Sequence, residues 1–425
     1  MRILWLSMNK GLYHNPQASN PFYNGGGWIS SLQELIISCS ENTLALVYVT
    51  HTRMEKEIQN NTIYYPLYEA PKSSWQKIIE YYGGYKKIDH TKYLNQIEQI
   101  IQDFQPDIIH LFGLENPMAN ILGNTRVPVV VHLQGLLAPC DNAFFPIGFN
   151  KSSFLFPISI REWFLRNGYI FAKNSIHIRG KRESSLFKKV EYAMGRTEWD
   201  CQITKLLAPQ SIYFHVDEVL REPFYRNAGK WKWRDKKLTL ISTISNTMYK
   251  GLDLILKTAS ILKRETQIPF EWKVVGIDRK DKIITFFESK LGIKSDEVNV
   301  AYRGVYGAES LCNELLQSHI YIHPSYIDNS PNSLCEAQLL GLPVIGTYVG
   351  GIPSLIKDKE TGITIPANAP YELSYHIKEC YMNRDYCLQL GHNGFKSANE
   401  RHDKNTIKLK LLKVYESIIN KDRNR

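Results

Sequence analysis

Short apolar runs recur along this chain, and stretches with helical spacing separate them. In the first half the runs fall at 3–7, 44–49, 63–66, 108–112 and 129–133. In the second half they fall at 238–243, 272–276, 298–302, 320–323 and 343–346. Runs this short, alternating with helical patterns, predict buried strands in parallel α/β layers. Between the two sets, residues 223–237 are polar and basic with no apolar period. The pattern therefore predicts two doubly wound, Rossmann-like domains: residues 1–222, a linker at 223–237, and residues 238–400. The final stretch, 401–425, carries apolar residues at Ile407, Leu411, Val414, Tyr415 and Ile418, which is the stripe of one more helix. The chain has no internal repeat and no low-complexity tract.

In open α/β sheets, ligands bind in the loops that leave the carboxyl ends of the strands. The richest such segment runs from 320 to 365. It places Asp328 on a loop and Glu336 eight positions later on a short helix, with Pro331 near the helix start, where a missing N–H is tolerated. The free N–H groups of the first turn, around Ser330, Asn332 and Ser333, favour an anion. A phosphate seat flanked by two carboxylates suits a sugar nucleotide. One carboxylate would serve sugar hydroxyls, the other the ribose, and the backbone donors the diphosphate. In the first half, the loop after the first strand ends in Gly25-Gly26-Gly27-Trp28. A glycine run opening a helix lets backbone approach a ligand, although the spacing is not that of a dinucleotide fingerprint. A flexible surface loop is the plainer alternative. His110 and His132 end two strands of the first half, and His319 and His323 flank the strand at 320–322. The last two read as structural.

Composition narrows the classes. At 425 residues and 43% hydrophobic content, two sizeable cores are expected. The seven cysteines are odd in number and form no C-x-x-C, which predicts a reducing compartment and neither a disulfide framework nor a zinc site. The opening MRILWLSMNKG is too short for a signal sequence, and no apolar run reaches membrane-spanning length. These features predict a cytoplasmic protein, at most peripheral to the inner face of a membrane. The net charge of +10 concentrates in residues 151–190, with nine Lys or Arg against two acids. Phe154, Phe156, Trp163, Phe164, Tyr169 and Phe171 interleave with them. Two readings stand: solvated basic helix faces, or a surface that docks on anionic lipid or a polyphosphate-linked acceptor. No nucleic-acid motif accompanies the charge.

At Glu336-Ala337, Gly341-Leu342-Pro343-Val344 and Gly350-Gly351-Ile352-Pro353 the chain resembles the donor-binding signature of the retaining glycosyltransferases of family 4, which have the two-domain GT-B fold. Asp328 stands where that family has its first Glu. The resemblance implies two Rossmann-like domains facing a cleft, with the last helix crossing back to the first domain. It also implies transfer of a sugar from a UDP or GDP sugar to a saccharide or lipid-linked acceptor, with retention, in bacterial surface-polysaccharide assembly. No cofactor is expected. By the same resemblance Asp328 orients the sugar, Glu336 binds ribose and Lys250 neutralises the diphosphate. His132 meets the donor sugar or reacting centre, and Gly26 and Gly27 face the diphosphate. The chain departs from the family after the strand at 238–243. There the family has Gly-Arg, whereas Ile244 stands at the arginine position. Lys250, the hydroxyls of Ser242, Thr243 and Ser245, and backbone donors must then hold the diphosphate. Arg179, Arg182 or Arg196 are the substitutes the first domain offers. Gly195 to Asp200 reads as cleft wall or hinge, and Glu218 and Arg221 as ties between the domains. No Asp-x-Asp occurs, so a metal-independent reaction is expected. A GT-B epimerase or phosphorylase, or a non-catalytic nucleotide-sugar binder, are the competing readings.

Overall fold

The computed structural model describes residues 1–13, 27–39, 41–71, 73, 75–76, 91–154, 168–235 and 237–424. The chain divides into two compact units: residues 1–141 with 158–219 and 402–425, and residues 142–157 with 220–401.

The first unit is built on strands β1 (Arg2–Leu6), β2 (Thr43–Thr50), β3 (Glu57–Gln59), β4 (Thr62–Tyr68), β5 (Ile108–Phe112), β6 (Val129–His132), β7 (Tyr192–Gly195) and β8 (Ile212–His215). Their order is β3-β4-β2-β1-β5-β6-β7-β8, parallel throughout except for the short β3–β4 pair. β5 and β6 are buried along their whole length, as strands covered on both faces must be. One face packs Leu4, Leu6, Val47, Ile109, Leu111 and Val131 into a single core. The helix Lys404–Arg423 belongs to this unit, and its stripe of Ile407, Leu411, Val414, Tyr415 and Ile418 is its buried face.

The second unit carries β9 (Leu238–Thr243), β10 (Phe270–Val275), β11 (Val300–Tyr302), β12 (Ile320–His323), β13 (Val344–Thr347) and β14 (Ile363–Ile365), in the order β11-β10-β9-β12-β13-β14 and all parallel. Both sheets reverse their winding once, between β1 and β5 and between β9 and β12. Such points open a crevice at the carboxyl ends of the strands.

The boundary differs from the one the pattern predicts. Residues 223–237 are not a free linker but part of the second unit. The helix Glu222–Arg226 begins the stretch, and Phe224 and Trp231 enter that unit's core. The Trp231 indole donates to the Ser318 carbonyl at 2.7 Å, and its amide to the Leu340 carbonyl at 3.0 Å. Isolated aromatics anchor the segment without producing a period. Residues 142–157 also join the second unit, where Phe149 packs against Phe286 and Phe287. Among the described residues, no helix is long and apolar enough to cross a membrane.

Candidate functional site

The switch point of the second sheet brings two loops together. One follows β9 and ends at Lys250; the other follows β12 and leads into the helix Asn332–Leu340. The Tyr326 amide donates to the Tyr249 carbonyl at 2.8 Å and joins the loops through their backbones. Gly251 makes that approach feasible: its φ is +79°, and a Cβ there would lie 2.0 Å from the Pro324 carbonyl oxygen. The result is a charged contact, Lys250 Nζ to Asp328 Oδ2 at 2.6 Å, with both side chains about one-fifth exposed (21% and 18%).

Asp328 is held from several sides. His323 Nε2 lies 3.0 Å from Oδ2, and the Asn329 amide donates to Oδ1 at 3.2 Å. Burial disfavours the charged carboxylate, but Lys250 and His323 outweigh it and hold its pKa well below the usual carboxylate range. The Gly-Gly turn fixes the backbone of the same residue. The Gly351 amide donates to the Asp328 carbonyl at 2.9 Å, and a Cβ on Gly350, at φ +53°, would sit 2.0 Å from that oxygen. The Gly-Gly-x-Pro pattern is thus a clamp on the Asp328 loop. His323, read from sequence as structural, orients the carboxylate instead. The Tyr321 hydroxyl lies 3.3 Å from its Nδ1 and 2.7 Å from Ser333 Oγ. His319 does keep a structural place: its Nδ1 accepts from the Thr239 amide and its Nε2 meets the Arg234 carbonyl, both at 2.9 Å.

The helix Asn332–Leu340 starts directly after this loop, with Pro331 at the cap and Ser330 buried before it. Its first-turn N–H groups lie beside Asn332 and Ser333, the arrangement expected of an anion seat. Ser245 contacts Thr247 through their hydroxyls at 3.1 Å, on the loop that reaches Lys250.

Glu336 departs from expectation. Instead of opening toward a ribose it is fully buried, and Arg221 grips both its oxygens, each at 2.7 Å. An Arg fork matches a carboxylate in two parallel bonds, so this pair is a fixed strut inside the second unit. Arg221, read from sequence as a tie between domains, is engaged with Glu336 inside the second unit. Glu218 belongs to the first unit, 3.7 Å from Arg196, and its carbonyl contacts His402 Nδ1 at 2.8 Å. Ile244, at the position of the family's arginine, is buried and donates its amide to the Val275 carbonyl at 2.9 Å.

In the first unit His132 ends β6 as the sequence indicated. Its ring is buried, stands edge-on to Trp28 at 5.0 Å and lies against Phe112. His110 Nε2 lies 3.2 Å from His132 Nδ1, and His110 Nδ1 lies 2.5 Å from the Tyr415 hydroxyl. Burial pushes the pKa of His110 down to about 3 and that of His132 well below the usual histidine value, so both rings are neutral at pH 7. Trp28 is the second residue of the helix Gly27–Ile37, and the Arg196 guanidinium lies 5.1 Å over its ring. Gly27 therefore opens a helix as expected; Gly26 lies outside the described residues. Arg196 also donates to the Leu133 and Gln134 carbonyls at 3.3 Å, and Arg182 to Asn116 at 3.0 Å, so these arginines brace the first unit. The run Gly195 to Asp200 is the end of β7 and a helix start in which Thr197 and Asp200 form a capping box.

The roles of two residues escape sequence reading: Tyr415 is hidden in an ordinary helical stripe, and His323 in a strand. Elsewhere in the first unit, Glu183 accepts from the Leu137 and Ala138 amides at 2.8 and 3.2 Å; burial raises its pKa to about 8. Among the described residues no cluster of three or more His, Cys, Asp or Glu is arranged to hold a metal.

Residues 225–397, which make up most of the second unit, match the model of the family Glycosyl transferases group 1. A D-inositol 3-phosphate glycosyltransferase of Paenarthrobacter aurescens is 28% identical over 135 residues, which is 31% of this chain and 32% of that protein. The chain thus aligns with about a third of that curated relative. Sucrose-phosphate synthase from Thermosynechococcus elongatus superposes with a TM-score of 0.70 at 13% identity, covering 99% of both chains. Anabaena HepE, solved with UDP-glucose, superposes with a TM-score of 0.61 at 14% identity, covering 98% of this chain and 100% of that one. The fold is that of the GT-B glycosyltransferases: two parallel-sheet, Rossmann-like domains.

Proposed function

We propose that this chain is a glycosyltransferase that moves a sugar from a nucleoside diphosphate sugar to a saccharide or lipid-linked acceptor, with retention of configuration as in family 4. The observation that carries the reading is the meeting of Lys250 with Asp328 at the switch point of the second sheet, beside the start of the helix Asn332–Leu340. That seat falls within the stretch matching the family. A cation and oriented first-turn N–H groups are what a departing diphosphate requires. In the reaction the bond from the anomeric carbon to the phosphate oxygen breaks, and a bond from that carbon to the acceptor hydroxyl forms. The acceptor's proton passes to the departing phosphate oxygen. Asp328, kept ionised by Lys250 and His323, accepts hydrogen bonds from sugar hydroxyls. His132 contributes a polar contact to the substrate, and Glu336 holds its helix in place through Arg221.

We assign leaving-group stabilisation to Lys250 and the backbone, with no metal or other cofactor, and a UDP or GDP sugar as donor. The setting proposed is surface-polysaccharide assembly in a bacterial cytoplasm. There the basic stretch 151–190 would meet the inner face of the membrane, and nucleic acid would not be a partner. One observation favours a second reading. With Ile244 buried where the family has arginine, the protein could be a nucleotide-sugar binder without turnover.

The deciding experiment is calorimetry with UDP, GDP and ADP sugars, followed by a transfer assay with and without chelator. Lys250→Ala should weaken diphosphate binding roughly tenfold or more, the value of one charge-assisted hydrogen bond. Binding without transfer or hydrolysis would favour the second reading, and no binding of any nucleotide sugar would end both. Loss of turnover on chelation, restored by manganese or magnesium, would refute the metal-free account.

A further inference from the structure

Four side chains of the first unit form one buried line. Trp5 lies on β1, Tyr415 on the helix Lys404–Arg423, His110 on β5 and His132 at the end of β6. None is more than 1% exposed. Trp5 Nε1 lies 3.3 Å from the Tyr415 oxygen, that oxygen 2.5 Å from His110 Nδ1, and His110 Nε2 3.2 Å from His132 Nδ1. His132 Nε2 is buried and has no hydrogen-bond partner among the described residues.

The direction of every proton follows from the first member. An indole N–H can only donate, so Trp5 occupies a lone pair of the Tyr415 oxygen. The phenol proton then needs an acceptor, and the His110 Nδ1 lone pair is in reach. A neutral imidazole that accepts at Nδ1 carries its proton on Nε2. His110 therefore donates to His132 Nδ1, and His132 in turn carries its proton on Nε2. The opposite polarity would turn a second N–H onto the Tyr415 oxygen and leave the phenol proton facing apolar surroundings. Buried polar groups rarely accept that loss.

We propose that Tyr415, acting through His110, fixes the tautomer of His132, so that His132 presents Nε2–H as a donor to a hydroxyl oxygen of the sugar substrate. The identity of that oxygen rests on the glycosyltransferase reading; the relay does not. The consequence is chemical. With its proton already on Nε2 and its Nδ1 occupied, His132 cannot take up a proton from an acceptor hydroxyl. It is a hydrogen-bond donor and not a general base. Arg196, whose charge also bears on the ring, reinforces the neutral state. Tyr415 and His110 are positioning residues, since neither needs to touch the substrate.

The test is a long-range proton–nitrogen correlation spectrum of the full-length chain with labelled histidine, near pH 7. A His132→Gln spectrum assigns the ring. Both His110 and His132 should show pyridine-type Nδ1 and pyrrole-type Nε2. A pyridine-type Nε2 on His132 would overturn the proposal without any variant having to fold. Tyr415→Phe keeps the ring and removes the hydroxyl. It should turn His132 into a mixture of tautomers and lower kcat/KM for the nucleotide sugar in proportion to the Nε2–H tautomer lost, about twofold for an even mixture. A folded Tyr415→Phe protein with an unchanged His132 tautomer would remove Tyr415 from the relay. Adding the nucleotide sugar that binds should shift the His132 Nε2 proton. If that proton does not respond although the tautomers are as expected, the substrate contact is wrong and the relay stands.

Discussion

The Arg221–Glu336 pair illustrates how a signature residue can serve geometry. A buried carboxylate must be neutralised and hydrogen-bonded, and a bidentate guanidinium does both. Removing one partner leaves the other uncompensated. Arg221→Met should therefore cost about 3–5 kcal/mol of stability in denaturant unfolding. The double variant Arg221→Met/Glu336→Leu should recover most of that loss, because an apolar pair of similar volume leaves no charge behind. If the single variant unfolds at the wild-type midpoint, the strut is not structural and the ribose role returns to Glu336. The loop after a strand end points to Asp328 directly, whereas Lys250 is legible only through the family resemblance. Spacing could not pair Arg221 with Glu336, because 115 positions separate them and Arg221 falls at the end of the predicted first domain rather than in the second.

At the scale of elements, strands with two covered faces declare themselves. β5, β9 and β12 span the residues their apolar runs indicate. β7 is a four-residue strand closed by Gly195, and β8 has only Ile212, Tyr213 and Phe214 before His215, so both runs are too short to stand out. The exposed edge strand β3 reads as polar loop for the same reason. The helix Tyr169–Phe187 shows how a charge run can divide. Lys173 is paired with Asp141 at 2.6 Å and Arg182 is spent on Asn116 and Asn120, while Lys181, Lys188 and Lys189 are exposed. Of the aromatics interleaved with this basic stretch, Phe156, Trp163 and Phe164 lie outside the described residues. If this face meets an anionic bilayer, each free lysine contributes about 1 kcal/mol at low salt. Replacing Lys181, Lys188 and Lys189 by Gln should then weaken binding to anionic vesicles by roughly two orders of magnitude, from that same energy per residue. Transfer to a soluble acceptor should persist. Equal vesicle binding by both proteins in a sedimentation assay would leave the lysines as ordinary solvated surface.

Across the whole molecule, buried titrating groups pull stability in two directions. His110, His132, His319 and His323 all have depressed pKa values, burial being the leading cause. Their unfolded counterparts bind protons below about pH 6.5, while the folded rings do not. Their contribution is therefore complete above that pH and is lost as pH falls toward the folded values. Asp328, with its pKa also lowered, adds a loss of the same sign at still lower pH, below the ordinary carboxylate range. Glu183 works the other way: with its pKa raised to about 8, its contribution is whole below the unfolded value and disappears as pH rises through 8. Between about pH 4.5 and 6.5 the histidines outnumber Glu183, so stability should rise with pH, at about 1.4 kcal/mol per pH unit for each uncompensated proton. Glu183→Gln should gain on the wild type as pH climbs from 5 to 8 and run parallel to it beyond. Urea midpoints across that range decide the matter, and a constant difference between the two proteins would mean that Glu183 is ionised in the folded state.

The helix Lys404–Arg423 completes the core of the unit that begins at Met1. On a ribosome, residues 220–401 emerge and can close on themselves before that helix exists. Some two hundred residues separate the last internal piece of the first unit from its final helix, a wait of about 10–40 s at ordinary elongation rates. For that interval the indole of Trp5 and the imidazole of His110 lack the hydroxyl that pairs them. The part of the chain made first is thus finished last: until residues 404–423 are made, the nascent first unit exposes the surface that their apolar stripe covers.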